Sequence, residues 1–144
     1  MKKIFILFIV LLIGFNANAQ LTIKSVDTSK TETIGVLRAS YSKLYYNSNS
    51  GYYFSIGSTN QFDKTNYIVL GMTIEDAIET TNTLISIAED KLNAIVENDN
   101  IEYSMWGDAL LGIKAIFIKR TSGQAGVSSL NVSELKKIIR FLKE

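Results

Sequence analysis

Four tyrosines around a polar turn are the side chains of this sequence best suited to hold a ligand. Tyr45 and Tyr46 precede the segment Asn47–Gly51, and Tyr52 and Tyr53 follow it. This nearly symmetric order predicts a β-hairpin with a five-residue loop, in which Tyr45 faces Tyr53 and Tyr46 faces Tyr52. Tyrosine combines an apolar ring with a hydroxyl, which suits protein, peptide or glycan partners. The four tyrosines are therefore candidate ligand-binding residues, and cross-strand ring pairing is the structural alternative.

The chain contains no histidine and no cysteine, and this excludes the common catalytic groups. Ser-His-Asp and Cys-His catalysis both need a side chain that is missing here. Zinc, copper and haem sites usually depend on imidazole or thiolate ligands, so we expect no metal and no cofactor. An enzyme built from this sequence would have to work with carboxylates, Tyr, Lys or Ser.

Two weaker catalytic patterns remain. Ser40 and Lys43 match the S-x-x-K spacing of serine–lysine enzymes, but that motif needs a helical turn and these residues lie on a predicted strand. Glu75, Asp76 and Glu79 supply carboxylates, and two acids converging in a cleft could hydrolyse a bond. A carboxylate-dependent hydrolase is therefore the alternative to a binding protein, whereas a solvated helix face is the simpler interpretation of these acids.

Charge gives no reason to expect a nucleic-acid partner. Lys136, Lys137, Arg140 and Lys143 are close in sequence, but cations near a helix C-terminus complement the helix dipole. Without the first nineteen residues the chain has 13 basic and 14 acidic residues. A nearly neutral protein of this kind has no general attraction for nucleic acid or anionic lipid.

The first twenty residues have the three-part pattern of a secretory signal peptide. Lys2 and Lys3 precede a twelve-residue stretch, Ile4–Phe15, that is apolar except for one glycine. Small residues at Ala17 and Ala19 predict cleavage after Ala19. Twelve residues are too few to span a bilayer, which takes about 20, so we expect no stable membrane insertion after cleavage. The predicted location is the periplasm or the extracellular medium.

The first half of the mature chain predicts strands followed by one long helix. Alternating residues at Leu21–Lys24 and the longer segment Ile34–Tyr46 predict strands, and Asn66–Met72 predicts a central strand because it is apolar on both faces. Thr73 is a predicted N-cap. The apolar residues that follow keep helical spacing to Val96, which predicts a helix about 35 Å long.

The second half predicts shorter elements. Ile101–Trp106 alternates as a strand, Gly107 and Asp108 indicate a turn, and Ile113–Arg120 is the most strongly predicted strand of this half. A brief strand at Val127–Ser129 precedes a terminal helix that Asn131 should cap. The sequence itself shows no internal repeat.

These elements predict an α+β fold, in which an antiparallel sheet carries a long central helix and a short C-terminal helix on one face. Residues 1–19 form the predicted signal peptide, and residues 20–144 form one domain. The predicted function is an exported, non-catalytic binding domain of unknown ligand, using the exposed side of its sheet or the tyrosine hairpin. A homo-oligomeric envelope structural protein is a further alternative.

Overall fold

The computed structural model describes residues 30–38, 42–57, 66–98, 101–122 and 126–144. The predicted signal peptide, the predicted strand Leu21–Lys24 and Ser40 of the S-x-x-K motif lie outside these ranges. Within them, no helix is long and apolar enough to cross a membrane.

The described part of the chain folds into two antiparallel four-stranded sheets and two helices, which confirms the predicted α+β class. The first sheet is followed by a 16-residue helix and the second by a 12-residue helix. The elements are β1 Glu32–Arg38, β2 Ser42–Asn47, β3 Gly51–Ile56, β4 Asn66–Gly71, α1 Ile74–Glu89, β5 Asn93–Asn98, β6 Ile101–Leu110, β7 Ile113–Arg120, β8 Ser128–Asn131 and α2 Val132–Lys143.

The element order repeats, although the sequence shows no repeat. Four strands that pair in chain order are followed by a helix, and the same arrangement then occurs again. We call β1–β4 with α1 the first unit and β5–β8 with α2 the second unit. Each unit places a central hairpin, β2–β3 or β6–β7, between two outer strands. The two units can therefore be compared position by position.

Both helices begin at the N-caps that the sequence predicts. Thr73 Oγ1 accepts a hydrogen bond from the backbone N–H of Asp76 at 3.1 Å, which satisfies one free donor of the first turn of α1. At α2 the capping is reciprocal, since Asn131 Oδ1 accepts from the Glu134 N–H at 2.8 Å and the Asn131 N–H donates to Glu134 Oε2 at 2.9 Å.

Helix α1 ends at Glu89, so the prediction that it continues to Val96 is wrong. Lys91 adopts φ +53°, and the N–H of Leu92 donates to the carbonyl of Ile87 at 3.1 Å, as in a Schellman C-cap. The chain then pairs with β6 as strand β5. Leu92 and Ile95 have helical spacing, but they are exposed rather than part of a buried stripe.

Two strand predictions also need correction. The segment predicted as one strand, Ile34–Tyr46, is divided between β1 and β2, which pair with each other antiparallel. Strand β4 lies at the end of the sheet order and not in its centre. It is nevertheless buried on both faces at Ile68, Val69 and Leu70, and helix α1 packs against it. Burial on two faces produced the apolar run that resembled a central strand.

One hydrophobic core joins the two units. Helix α1 packs on β4, β6 and β7, while α2 packs on β1, β7 and β8, so each helix contacts strands of both sheets. An ion pair adds to this contact, because Arg38 on β1 donates two hydrogen bonds, of 2.7 and 2.6 Å, to the buried carboxylate of Glu134 on α2. Fully buried side chains of the core include Leu44, Phe54, Ile68, Leu84, Met105, Ile116, Ile118 and Leu130.

Candidate functional site: two central hairpins

The tyrosine hairpin has the register that the sequence predicts. Tyr45 pairs with Tyr53 and Tyr46 pairs with Tyr52, across strands β2 and β3. The connecting loop is shorter than predicted, because Asn47 and Gly51 also pair and only residues 48–50 lie between the strands. Adjacent tyrosines point to opposite faces of the sheet, so the four rings form two separate pairs.

The first pair is dominated by a buried ring. Tyr53 is fully buried and stacks on Tyr45 with ring centroids 5.3 Å apart, and Tyr67 approaches it edge-on at 5.8 Å. The hydroxyls of Tyr53 and Thr31 share a hydrogen bond of 2.8 Å. A buried ring whose hydroxyl is already engaged stabilises the sheet and offers no surface for a ligand.

The second pair, Tyr46 and Tyr52, is half-buried. Its ring centroids lie 4.8 Å apart with the planes tilted by 43°. Tyr46 shares its face of β2 with the buried Leu44, and its partner Tyr52 packs against the hydrophobic core. A ligand would reach only part of each ring. The assignment of all four tyrosines to ligand binding stays a prediction, but each ring lies against its partner across the hairpin.

The turn of this hairpin is also held in place by hydrogen bonds and close packing. Asn47 is fully buried, and its Oδ1 accepts a hydrogen bond from the Asn49 N–H at 2.8 Å. The Ser50 N–H donates to the Asn47 carbonyl at 3.2 Å. Gly51 lies so close to Gly71 that a Cβ at residue 51 would be 2.2 Å from the Gly71 carbonyl oxygen. The first central hairpin is therefore anchored at its turn.

The second central hairpin turns at a different place from the one predicted. Strand β6 continues through Gly107 and Asp108 to Leu110, and the turn consists of Leu111 and Gly112. Gly107 serves close helix packing instead, because a Cβ there would lie 1.9 Å from the Ile87 carbonyl oxygen. Leu111 and Gly112 have φ +52° and +79°, as the central residues of a type I′ turn require.

This turn carries the most exposed cluster of large hydrophobic side chains on the described residues. Leu111 is 95% exposed, Leu110 68% and Ile113 59%. We call Leu110, Leu111 and Ile113 the apolar tip. The tip projects beyond its neighbours, because β5 pairs with β6 only as far as Trp106 and β8 pairs with β7 only as far as Ala115. Among the described atoms, none lies within 4 Å of a Cβ built on Gly112.

Aromatic rings continue the exposed face behind the apolar tip. Trp106 and Phe117 face each other across β6 and β7, with nearly parallel rings whose centroids are 5.7 Å apart. Both are half-buried, and alternation along the strands places them on the same face as Leu110 and Ile113. This face points away from the core-facing Met105 and Ile118 of the same strands.

Charged residues surround the base of the hairpin. Lys114 Nζ donates to the carbonyl of Glu89 at 3.1 Å, and Lys91 lies 4.0 Å from a carboxylate oxygen of Asp108. Asp90 precedes Lys91 in the sequence, so the side chains of two basic residues, Lys91 and Lys114, and two acidic ones, Asp90 and Asp108, make up this ring of charge. The ring is nearly balanced, and the apolar tip extends beyond it.

The carboxylates considered for hydrolysis lie on an open helix face. Glu75 and Glu79 border a shallow depression along α1 together with Ile78 and three polar residues of the same helix. No acid from another described element lines it, whereas a hydrolytic pair would need two carboxyl groups facing each other across a bond. In the described ranges, no group of three or more acidic side chains is arranged to hold a metal ion.

Three of the four basic residues of α2 contact other groups of the protein. Lys136 lies 3.8 Å from Glu89, and Arg140 lies 3.9 Å from Glu144. Lys137 reaches the carbonyl of Leu37 at 3.4 Å. These contacts agree with the interpretation of the basic residues as a solvated and partly paired helix face.

Comparison with known proteins adds no functional assignment. No protein-family model matches this chain, and no curated protein and no solved structure is similar to it at a significant level. Function must therefore be inferred from the two hairpins themselves.

Proposed function

We propose that this chain is an exported, non-catalytic binding domain that contacts its partner through the apolar tip. The exposure of Leu110, Leu111 and Ile113 on one projecting hairpin is the observation that carries the proposal. Clustered apolar side chains on a protein surface are typical of interaction sites, whereas single exposed ones need no explanation. The signal-peptide pattern of Met1–Gln20 supports export.

Leu111 supports this proposal because it does not help the chain to fold. A side chain with a Cβ is disfavoured at φ +52°, where Asn, Asp or Gly is preferred and leucine costs about 1 kcal/mol. At 95% exposure it also gains almost nothing from burial. A partner that covers Leu111 would give this residue a role that the isolated domain does not.

The alternatives have weaker support. In the tyrosine hairpin, Tyr53 is fully buried and the other three rings are half-buried. A hydrolase would need a second carboxylate opposite Glu75 or Glu79, which the described lining of the depression does not supply. The apolar tip needs no further group to act as a contact.

The test is affinity capture from the envelope and medium of the exporting cell, with the exported protein as bait. A tip variant carries Leu110→Ser, Leu111→Asn and Ile113→Thr, and a control carries Val36→Thr on β1, where another large apolar side chain is exposed. We expect proteins or membrane material that the exported protein and the control retain and the tip variant loses. Equal capture by all three proteins would contradict the assignment.

Export has its own test. N-terminal sequencing of the recovered protein should begin at Gln20 if cleavage follows Ala19. Recovery of a chain that still begins at Met1 would overturn the predicted processing, and it would leave the assignment of the tip unaffected.

A further inference from the structure

We propose that the partner of the apolar tip is the surface of a lipid bilayer, into which Leu110, Leu111 and Ile113 insert shallowly and reversibly. This inference rests on the proposed function, because it names the occupant of the same surface. It adds no membrane-spanning segment, and the domain would remain outside the bilayer apart from the tip.

The size of the tip favours lipid over a second protein. Three aliphatic side chains expose on the order of a few hundred Å² of apolar surface. A stable protein interface needs about 800 Å² and roughly 20–30 residues on each side. The tip is also convex, so the flat surface of a second protein would touch only its end. Lipid chains rearrange around an inserted side chain and require no complementary surface.

The spacing of residues along β6 matches the depth of the bilayer interface. Asp108 lies two residues before Leu110, about 7 Å at the rise of a β-strand. Interfacial apolar groups lie about 5–10 Å into the boundary between headgroups and acyl chains. Inserting the tip to that depth leaves Asp108 at the headgroups, where it remains hydrated. Lys114 lies one residue beyond Ile113, and its ammonium group reaches back to the Glu89 carbonyl at the base of the hairpin.

Trp106 occupies the position expected of an interfacial anchor. It lies four residues before Leu110, about 13 Å along the strand, on the face that carries the tip. Tryptophan is enriched where a membrane meets water, because its ring is apolar and its N–H is polar. The stacked Trp106–Phe117 pair would therefore lie beside the headgroups when the tip is inserted.

The charges at the base of the hairpin determine whether binding should depend on anionic lipid and on salt. With Lys91 close to Asp108 and Lys114 bonded to the Glu89 carbonyl, the ring does not present a basic patch to anionic headgroups. Apolar burial must then supply the binding free energy. Binding should depend little on salt and should not require anionic lipid, unlike that of a polybasic surface.

The experiment is co-sedimentation of the exported protein with phosphatidylcholine vesicles, repeated with vesicles that also contain phosphatidylglycerol. We expect binding to both, with less than about a threefold change between low and physiological salt. The tip variant should bind about tenfold more weakly or worse, because burial of one leucine side chain corresponds to about that factor. The Val36→Thr control should bind like the unmodified protein.

Intrinsic fluorescence gives a second readout from the same samples. Trp106 is the only tryptophan of the chain, so its emission reports on this face alone. Vesicles should shift the emission of the exported protein to shorter wavelength and leave that of the tip variant unchanged. Urea unfolding of the tip variant provides the folding control, and Leu111→Asn alone serves as a milder second variant.

Three outcomes would overturn insertion of the apolar tip into lipid. In the first, the protein stays in the supernatant with both kinds of vesicle. In the second, binding needs phosphatidylglycerol and is reversed by salt. In the third, sedimentation equilibrium shows a dimer that depends on the tip. If vesicle binding fails while tip-dependent capture of another protein persists, the proposed function stands and only the choice of lipid falls. If neither vesicle binding nor tip-dependent capture is observed, both proposals are wrong.

Discussion

The two central hairpins occupy equivalent places in the two units, but their turns are built and anchored differently. In the first hairpin, β2–β3, Asn47 and Ser50 are buried at the turn, and Gly51 lies against Gly71. In the second, β6–β7, Leu111 is almost fully exposed. The first turn is polar and is anchored by the buried Asn47 and Ser50, although Ser48 and Asn49 are exposed. The second turn, Leu111 and Gly112, is exposed at both residues. This difference between the turns distinguishes a hairpin that stabilises the fold from one that is available to a partner.

Their aromatic pairs differ in the same direction. Tyr45 and Tyr53 stack across the first hairpin, and Trp106 and Phe117 stack across the second, at similar centroid distances of 5.3 and 5.7 Å. Tyr53 is fully buried and hydrogen-bonded through its hydroxyl, whereas both rings of the second pair are half-buried. Similar ring geometry therefore serves stability in one unit and leaves an accessible face in the other.

We expect the largest difference in stability between the two hairpins when one aromatic ring in each is truncated. Tyr53→Ala should lower the free energy of unfolding by about 3–5 kcal/mol, because it leaves a cavity at a fully buried site. Trp106→Ala should lower it by about 1–2 kcal/mol, since part of that ring already faces solvent. Urea denaturation measures both values, and equal losses would break the distinction between the hairpins.

The next effect concerns equivalent residues at the starts of the two helices. Glu134→Ala should cost about 2–3 kcal/mol, because the buried carboxylate both completes the helix cap and accepts two hydrogen bonds from Arg38. Asp76→Ala should cost less than about 1 kcal/mol, since Asp76 is exposed near the N-terminus of α1. Thermal unfolding of both variants checks this, and a larger loss from Asp76→Ala would contradict it.

A smaller effect isolates the Tyr53 hydroxyl. Tyr53→Phe keeps the stacked ring but removes the bond to Thr31, and should lower the free energy of unfolding by about 1 kcal/mol. The matched change Tyr46→Phe lies in the half-buried pair and should have an effect below about 0.5 kcal/mol. Urea midpoints at an unchanged denaturant slope provide the measurement. A larger loss of stability from Tyr46→Phe than from Tyr53→Phe would show that the Tyr53 hydroxyl is not the group that stabilises the first hairpin.

The smallest effect has the opposite sign. Leu111→Asn should raise the free energy of unfolding by a few tenths of a kcal/mol, because Asn tolerates the left-handed region and Asn-Gly is a favoured type I′ pair. The same variant should bind vesicles more weakly. A gain in stability accompanied by a loss of binding would separate the role of Leu111 from folding, whereas a clear loss of stability would indicate that Leu111 supports the hairpin.

Local chemistry made part of this fold predictable. The N-caps at Thr73 and Asn131 follow from hydrogen-bonding groups within one turn of each helix, and both were predicted correctly. The register of the tyrosine hairpin follows from a short polar turn between matching rings. Such signals depend only on neighbours in the chain, so the sequence alone contains them.

Long-range contacts explain what the sequence did not reveal. The helical spacing of Leu92 and Ile95 favoured a longer α1, but pairing of β5 with β6 determined their conformation. Gly107 resembled a turn residue, although its role is close contact with α1. The true turn contains no Asn or Asp, and Gly112 is its only turn signal, so the apolar tip was missed.

The central claim is that the tip of the second hairpin, and not an exposed apolar position of the first unit, meets the partner. Because the chain has no cysteine, Leu111→Cys and Val36→Cys each create a single thiol for an environment-sensitive fluorophore. The labelled protein, without residues 1–19, is then mixed with membranes and soluble fractions of the cell that produces it. The account predicts a shift to shorter wavelength at position 111 and none at position 36. An unchanged emission at 111 in every fraction, or a shift confined to position 36, would contradict it.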